Sequence, residues 1–186
     1  MVKTKNLLKT LSACAVVLAL GGCGGSDDDG SIVACFTADR TVNFAISGSL
    51  TTNRSTTGPM TYNNQPVTGQ IFFYSTGAKS INYWTVTSSG VTNIASIDYN
   101  NNVTRDDSFY PQNMKPGQRI TNSDKTVITT FVGFETINLS GKTFSNSCHI
   151  SQNFNGGTYE IWIASGYGLI KQIAPSGAAE QYNGDI

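Results

Sequence analysis

Thr41-Val42-Asn43-Phe44-Ala45-Ile46-Ser47 decides the fold class. Polar and apolar residues alternate through it, so Val42, Phe44 and Ile46 fall on one side of an extended chain, as in a half-buried β-strand. The same period of two returns at residues 70–75, 80–87, 91–99, 126–139, 142–151, 159–164, 168–173 and 178–182. Turn residues separate these segments: Gly77, Ser89-Gly90, Asn100-Asn101-Asn102, Ser140-Gly141, Asn155-Gly156-Gly157, Gly166 and Ser176-Gly177. Connections this short favour antiparallel hairpins over crossover helices. Beyond the first 22 residues no segment shows apolar residues at i, i+3, i+4 and i+7, and Leu, Ala and Glu are scarce. An all-β chain is therefore expected. Residues 53–65, which contain Gly58-Pro59, and residues 103–117, which contain Pro111 and Pro116, read as long loops, with room for a short helical turn at 104–109.

The N-terminus carries a different signal. Lys3, Lys5 and Lys9 precede an apolar run over residues 11–20, roughly ten residues and too short to span a bilayer. The run ends in Leu20-Gly21-Gly22-Cys23, and Gly24-Gly25-Ser26-Asp27-Asp28-Asp29-Gly30 follows. This resembles a bacterial lipoprotein signal. The resemblance implies cleavage before Cys23, acylation of the Cys23 thiol and of the new amino terminus, and anchoring to the cell envelope by lipid. Gly24 after the modified cysteine implies the outer membrane. The organisation expected is a signal peptide at 1–22, a lipidated cysteine with a flexible tether at 23–31, and one β domain at 32–186. The tether reaches roughly 20 to 30 Å when extended.

Twelve basic residues balance twelve acidic ones in the 186-residue chain, and removing residues 1–22 leaves nine against twelve, a net charge of −3. No basic stripe marks a nucleic-acid partner. Charged residues make up only 13% of the chain, so hydroxyl and amide side chains must supply its polar surface.

Four cysteines divide by position. Cys14 lies in the signal and Cys23 is the lipidation site, which leaves Cys35 and Cys148. In an oxidising compartment such a pair is expected to bridge, closing a loop worth roughly 4 to 5 kcal/mol in the chain-entropy model. Two free buried thiols are the competing reading. A metal site fits poorly, because no CxxC is present and His149 is the sole histidine, read here as a strand-surface residue. By alternation Phe144, Asn146, Cys148 and Ile150 share a face.

The C-terminal third contains Lys142-Thr143-Phe144-Ser145-Asn146-Ser147-Cys148, then Thr158-Tyr159-Glu160-Ile161-Trp162-Ile163-Ala164, then Gly166-Tyr167-Gly168-Leu169-Ile170-Lys171-Gln172. This ending is similar to one found in uncharacterised bacterial lipoproteins, which resemble the lipoprotein-carrier (LolA/LolB) type of domain. The resemblance implies a single antiparallel sheet curved into a half-barrel, with a two-layer sandwich as the alternative. Gly166 and Gly168 bracket a tight hairpin, and Lys171 is expected on an exposed edge. Tyr167 departs from the pattern, and no helix pair that would plug a half-barrel is present.

The catalytic inventory is thin. There is no Ser-His-Asp order and no nucleophile elbow, and Asp98, Asp106, Asp107, Glu135 and Glu160 are the carboxylates that could pair for acid–base work. No catalytic residue, cofactor or metal is assigned. A non-catalytic binding module is expected instead, with Phe72, Tyr74 and Trp84 lining a concave surface for an apolar ligand, a lipid or an envelope protein. The alternatives are packing of all three rings inside the sheet and a scaffold that recruits partners by strand addition.

Overall fold

The computed structural model describes residues 30–48, 52–154 and 156–186. The expected signal peptide at 1–22, Cys23 and the expected tether through residue 29 lie outside the described residues.

One short helix, α1 (Ile32–Phe36), precedes the strands. They are β1 (Val42–Gly48), β2 (Thr52–Tyr62), β3 (Gln65–Tyr74), β4 (Lys79–Thr87), β5 (Gly90–Ile97), β6 (Val103–Arg105) and β7 (Phe109–Pro111), then β8 (Arg119–Thr121), β9 (Val127–Leu139), β10 (Lys142–Phe154), β11 (Gly157–Ala164), β12 (Gly168–Ile173) and β13 (Ala179–Asp185). All belong to one antiparallel sheet in the order β6-β5-β4-β3-β2-β1-β13-β12-β11-β10-β9-β8, with β7 paired to β5. The chain thus starts in the middle, walks out to one end, crosses to the other end and walks back.

That crossing dictates the curvature. Only residues 112–118 link β7 to β8, a span of less than about 30 Å even when fully extended. A flat sheet of this order would hold its two ends about 50 Å apart at ~4.8 Å per strand. The sheet must curl until its ends face each other, and it does so without pairing β6 to β8, so it is not closed into a barrel.

Two hydrophobic clusters fill the curl. The first joins Ile32, Cys35 and Phe36 of α1 to Trp84, Val91 and Tyr110 from one arm and to Phe131, Cys148, Ile150 and Ile163 from the other. α1 is a wedge between the arms, covalently fixed by the Cys35–Cys148 disulfide, whose Cα atoms are 5.9 Å apart. The Trp84 indole N–H donates to the Phe36 carbonyl at 2.8 Å, and the Gly166 N–H donates to the Thr37 carbonyl at 2.8 Å. The second cluster lies over the central strands and includes Phe44, Ile46, Phe72, Phe144, Ile170 and Tyr182. Tyr167 packs into it against Phe44, Phe144 and Tyr182, and its hydroxyl meets the Lys142 ammonium. Its bulk is thus part of the core.

Each expected strand is present. Four expectations need correction. Residues 53–65 are not a loop but most of β2 and its turn: Tyr62 pairs with Gln65 around Asn63-Asn64, whose φ angles of 49° and 61° fit a two-residue hairpin turn. Pro59 is tolerated because β1 pairs with β2 only from Arg54 to Thr57, leaving β2 with one described partner beyond that point. Residues 103–117 hold two three-residue strands, and 104–109 form no helical turn. The one helix among the described residues is α1, a single turn too short to show a period, stabilised by burial of Ile32, Cys35 and Phe36. In β10 a bulge between Phe144 and Ser147, with Asn146 at φ 52°, breaks the alternation, so Ser147 and Cys148 are both buried. Lys171 lies on no edge: β12 sits between β11 and β13.

Candidate functional site

Between the arms lies a cavity of about 190 Å³, bounded by β3, β4, β5 and β7 on one side and β10, β11 and β12 on the other. Its apolar wall comes from Phe36, Trp84, Ile150, Ile161 and Ile163. The rest is polar, and unusually rich in amides: Gln70, Asn82, Asn93, Gln152 and Gln172, with Ser96, Asp106 and Tyr110.

The strand period places these groups. Gln70 lies two residues from buried Phe72, Asn82 from Trp84, Asn93 from Val91 and Gln152 from Ile150, while Gln172 stands opposite Ile161 of the first hydrophobic cluster. Each amide is therefore in phase with a core side chain and points where a core residue would. Cross-strand register agrees, since Asn82 stands opposite Gln70 on one side and Ser96 on the other.

Not all are available to a ligand. Gln70 is fully used: its Nε2 donates to Ser55 Oγ at 2.9 Å and to the Leu169 carbonyl at 3.0 Å, while its Oε1 accepts the Leu169 N–H at 2.8 Å. It is a latch between β3 and β12. Gly168 is required beside it, because φ is 68° and a Cβ there would stand 2.6 Å from Gln70 Oε1. Asn82, Ser96 and Gln172, by contrast, make no side-chain hydrogen bond among the described residues, and Gln152 makes only a long one to Thr129 at 3.4 Å. These groups can bind something polar.

Asp106 anchors the other end of the polar wall. Its Oδ2 accepts from Asn93 Nδ2 at 3.0 Å, and its Oδ1 accepts from the Ser108 N–H at 3.0 Å and from Ser108 Oγ at 2.6 Å. Asn93 Nδ2 also donates to the Tyr110 hydroxyl at 3.2 Å. Burial, and after it the Asp106 charge, push the Tyr110 phenol up to about 12, so it stays a neutral hydroxyl at physiological pH.

Of the three aromatic residues expected at the site, only Trp84 lines this cavity, and its N–H is already committed to Phe36. Phe72 packs in the second hydrophobic cluster. Tyr74 is half-buried, its hydroxyl 3.0 Å from Ser80 Oγ and its ring edge-on to Tyr99. The amides were the missed signal: polar residues in phase with core positions of four strands.

The five candidate carboxylates disperse. Asp98 accepts from the Asn100 and Asn102 N–H groups of its own turn, and Asp107 accepts from the Ser123 N–H. Glu135 and Glu160 come together on the opposite face of β9–β12, one on each side of His149: Glu135 Oε1 lies 2.7 Å from Nδ1 and Glu160 Oε2 lies 2.8 Å from Nε2. The imidazole stacks on Trp162 at 4.2 Å, and the Lys171 ammonium sits 4.6 Å from the indole. Trp162 Nε1 donates to Glu135 Oε2 at 2.8 Å and holds that carboxyl below its ordinary range. His149, Glu135, Glu160 and the Trp162 indole N–H are thus each engaged by a neighbour in one cross-strand network. The two glutamates engage opposite ring nitrogens and cannot converge with His149 on one ion, and no metal-binding group occurs among the described residues.

Comparison with protein-family models, with curated proteins and with solved structures found no match. The reading of the site rests on its own chemistry.

Proposed function

We propose that this protein is an envelope lipoprotein, held to the outer membrane by acyl chains on Cys23, whose β domain is a non-catalytic module that binds a small polar molecule between its arms. The amide-lined cavity carries this reading. Folding has placed Asn82, Ser96 and Gln172 at interior-facing positions without protein partners, an arrangement that a ligand's hydrogen bonds would complete. At about 190 Å³ the space lies below the range of drug-sized pockets, so the ligand is small. The polar lining favours such a molecule over a lipid tail. A scaffold acting by strand addition has less support, because both ends of the sheet are three-residue strands. No helix among the described residues is long and apolar enough to cross a membrane.

Native mass spectrometry of the mature protein released gently from membranes tests the binding role. The expected result is a small retained mass, lost when Asn82→Phe fills the cavity. Protein of bare mass from cells, with no small polar molecule stabilising it in a thermal-shift screen, overturns the proposal. Cys23→Ser is expected to abolish palmitate labelling and membrane association, and persistence of either removes the anchoring part.

A further inference from the structure

We propose that the molecule taken up between the arms carries a positive charge, specifically an ammonium group seated against Asp106. This inference rests on the cavity being a binding site, and adds the chemical class of the ligand. Asp106 is the single charged residue in the cavity lining, which contains no Lys, Arg or His. It forms no ion pair among the described residues, although it is half-buried. Its three hydrogen bonds come from neutral donors, the Asn93 amide and the Ser108 N–H and hydroxyl. They fix the carboxylate in place without cancelling its charge.

A fixed anion on the cavity wall sets the selectivity. An anionic ligand meets repulsion with no compensating cation in the lining, and a neutral one leaves the charge as it was. An ammonium group supplies the missing countercharge and hydrogen-bond donors for the carboxylate. The rings of Trp84, Tyr110 and Phe36 also line the cavity. Gln172, Asn82 and Ser96 are left to hydrogen-bond the ligand's remaining polar atoms.

The test uses the mature protein and a size-matched panel: 3-amino-1-propanol, 1,3-propanediol and 3-hydroxypropanoate, with diamines, diols and hydroxy acids one or two carbons longer, and calcium chloride as an inorganic control. Binding is followed by chemical-shift titration of the Asn82 and Gln172 side-chain amides. The ammonium members are expected to bind at least ten-fold tighter than their neutral counterparts, and the hydroxy acids most weakly. Asp106→Asn, which keeps an acceptor for Ser108, is expected to remove that preference, so that ammonium and neutral members bind equally, while leaving the melting temperature within a few degrees. Equal binding of ammonium and neutral members by the unsubstituted protein, or a preference that survives in Asp106→Asn, overturns the charge assignment and leaves the binding role standing. Binding of calcium alone overturns it as well. No binding by any member, together with protein of bare mass from cells, overturns both.

Discussion

At the scale of single residues, the interior polar groups have signatures that can be measured without knowing the ligand. Tyr110 is held neutral by burial and by Asp106, with its phenol pushed up to about 12 against an ordinary value near 10. The native state therefore keeps a proton that the unfolded chain gives up first. Stability from this group is fully present below pH 10 and is lost as pH rises from 10 to about 12. One of the eight tyrosines should show tyrosinate absorbance only near pH 12 in folded protein, and Tyr110→Phe should remove that step. Titration of all phenols together would contradict this.

Glu135 behaves with the opposite sign: the Trp162 indole N–H lowers its carboxyl, so its contribution is present above the ordinary carboxylate range and fades as pH falls through the lowered native value. Thermal unfolding followed downward in pH should be less steep in Glu135→Gln. Neither environment was legible from composition, since Glu135 and Glu160 meet across His149 only through the register of three strands. Four of the five amides were legible: each stands two residues from a core side chain in a period-two strand, and reading polarity in phase, rather than counting aromatics, locates the cavity.

At the scale of elements, regular alternation made the long strands readable, while local exceptions hid the rest. The β2–β3 hairpin was obscured by Gly58-Pro59, which looked like a break but sits where β2 has a single described neighbour. The turn is Asn63-Asn64, both residues in the left-handed region, where asparagine is among the few side chains tolerated. Asn64→Gly should be neutral or stabilising by a few tenths of a kcal/mol, whereas Asn64→Val should cost about 1–2 kcal/mol because a β-branched side chain resists that conformation. Chemical denaturation of the two variants checks the pair, and equal midpoints would argue against a positive-φ turn. α1 illustrates another limit. A five-residue helix has no periodicity to detect, and what makes it helical is the packing of Ile32, Cys35 and Phe36 among residues of both arms.

For the molecule as a whole, topology and the disulfide act on the same feature, the separation of the two arms. The 112–118 link brings the sheet's ends around, yet β6 and β8 never pair, so the strand ladder does not complete the ring. What spans the opening is α1, which contacts β4 and β5 on one arm and β10 and β11 on the other. Cys35–Cys148 ties that wedge to β10 across a sequence separation of 113. Replacing both cysteines by Ala or Ser removes a constraint on the unfolded chain worth roughly 4–5 kcal/mol in the entropy model, and 2–5 kcal/mol is the typical measured loss. Its local consequence should be uneven. Freed from the wedge, the arms lose packing around Trp84, Phe131 and Ile150, while the central strands keep theirs around Phe44 and Tyr182. Amide hydrogen exchange in the double variant, at a temperature where it stays folded, should accelerate in β4, β5, β10 and β11 well beyond β1 and β13. Ligand affinity should fall with it, because the cavity walls are those same arms. Uniform acceleration across all strands would mean that the bridge stabilises only against global unfolding and that α1 does not set the width of the cleft.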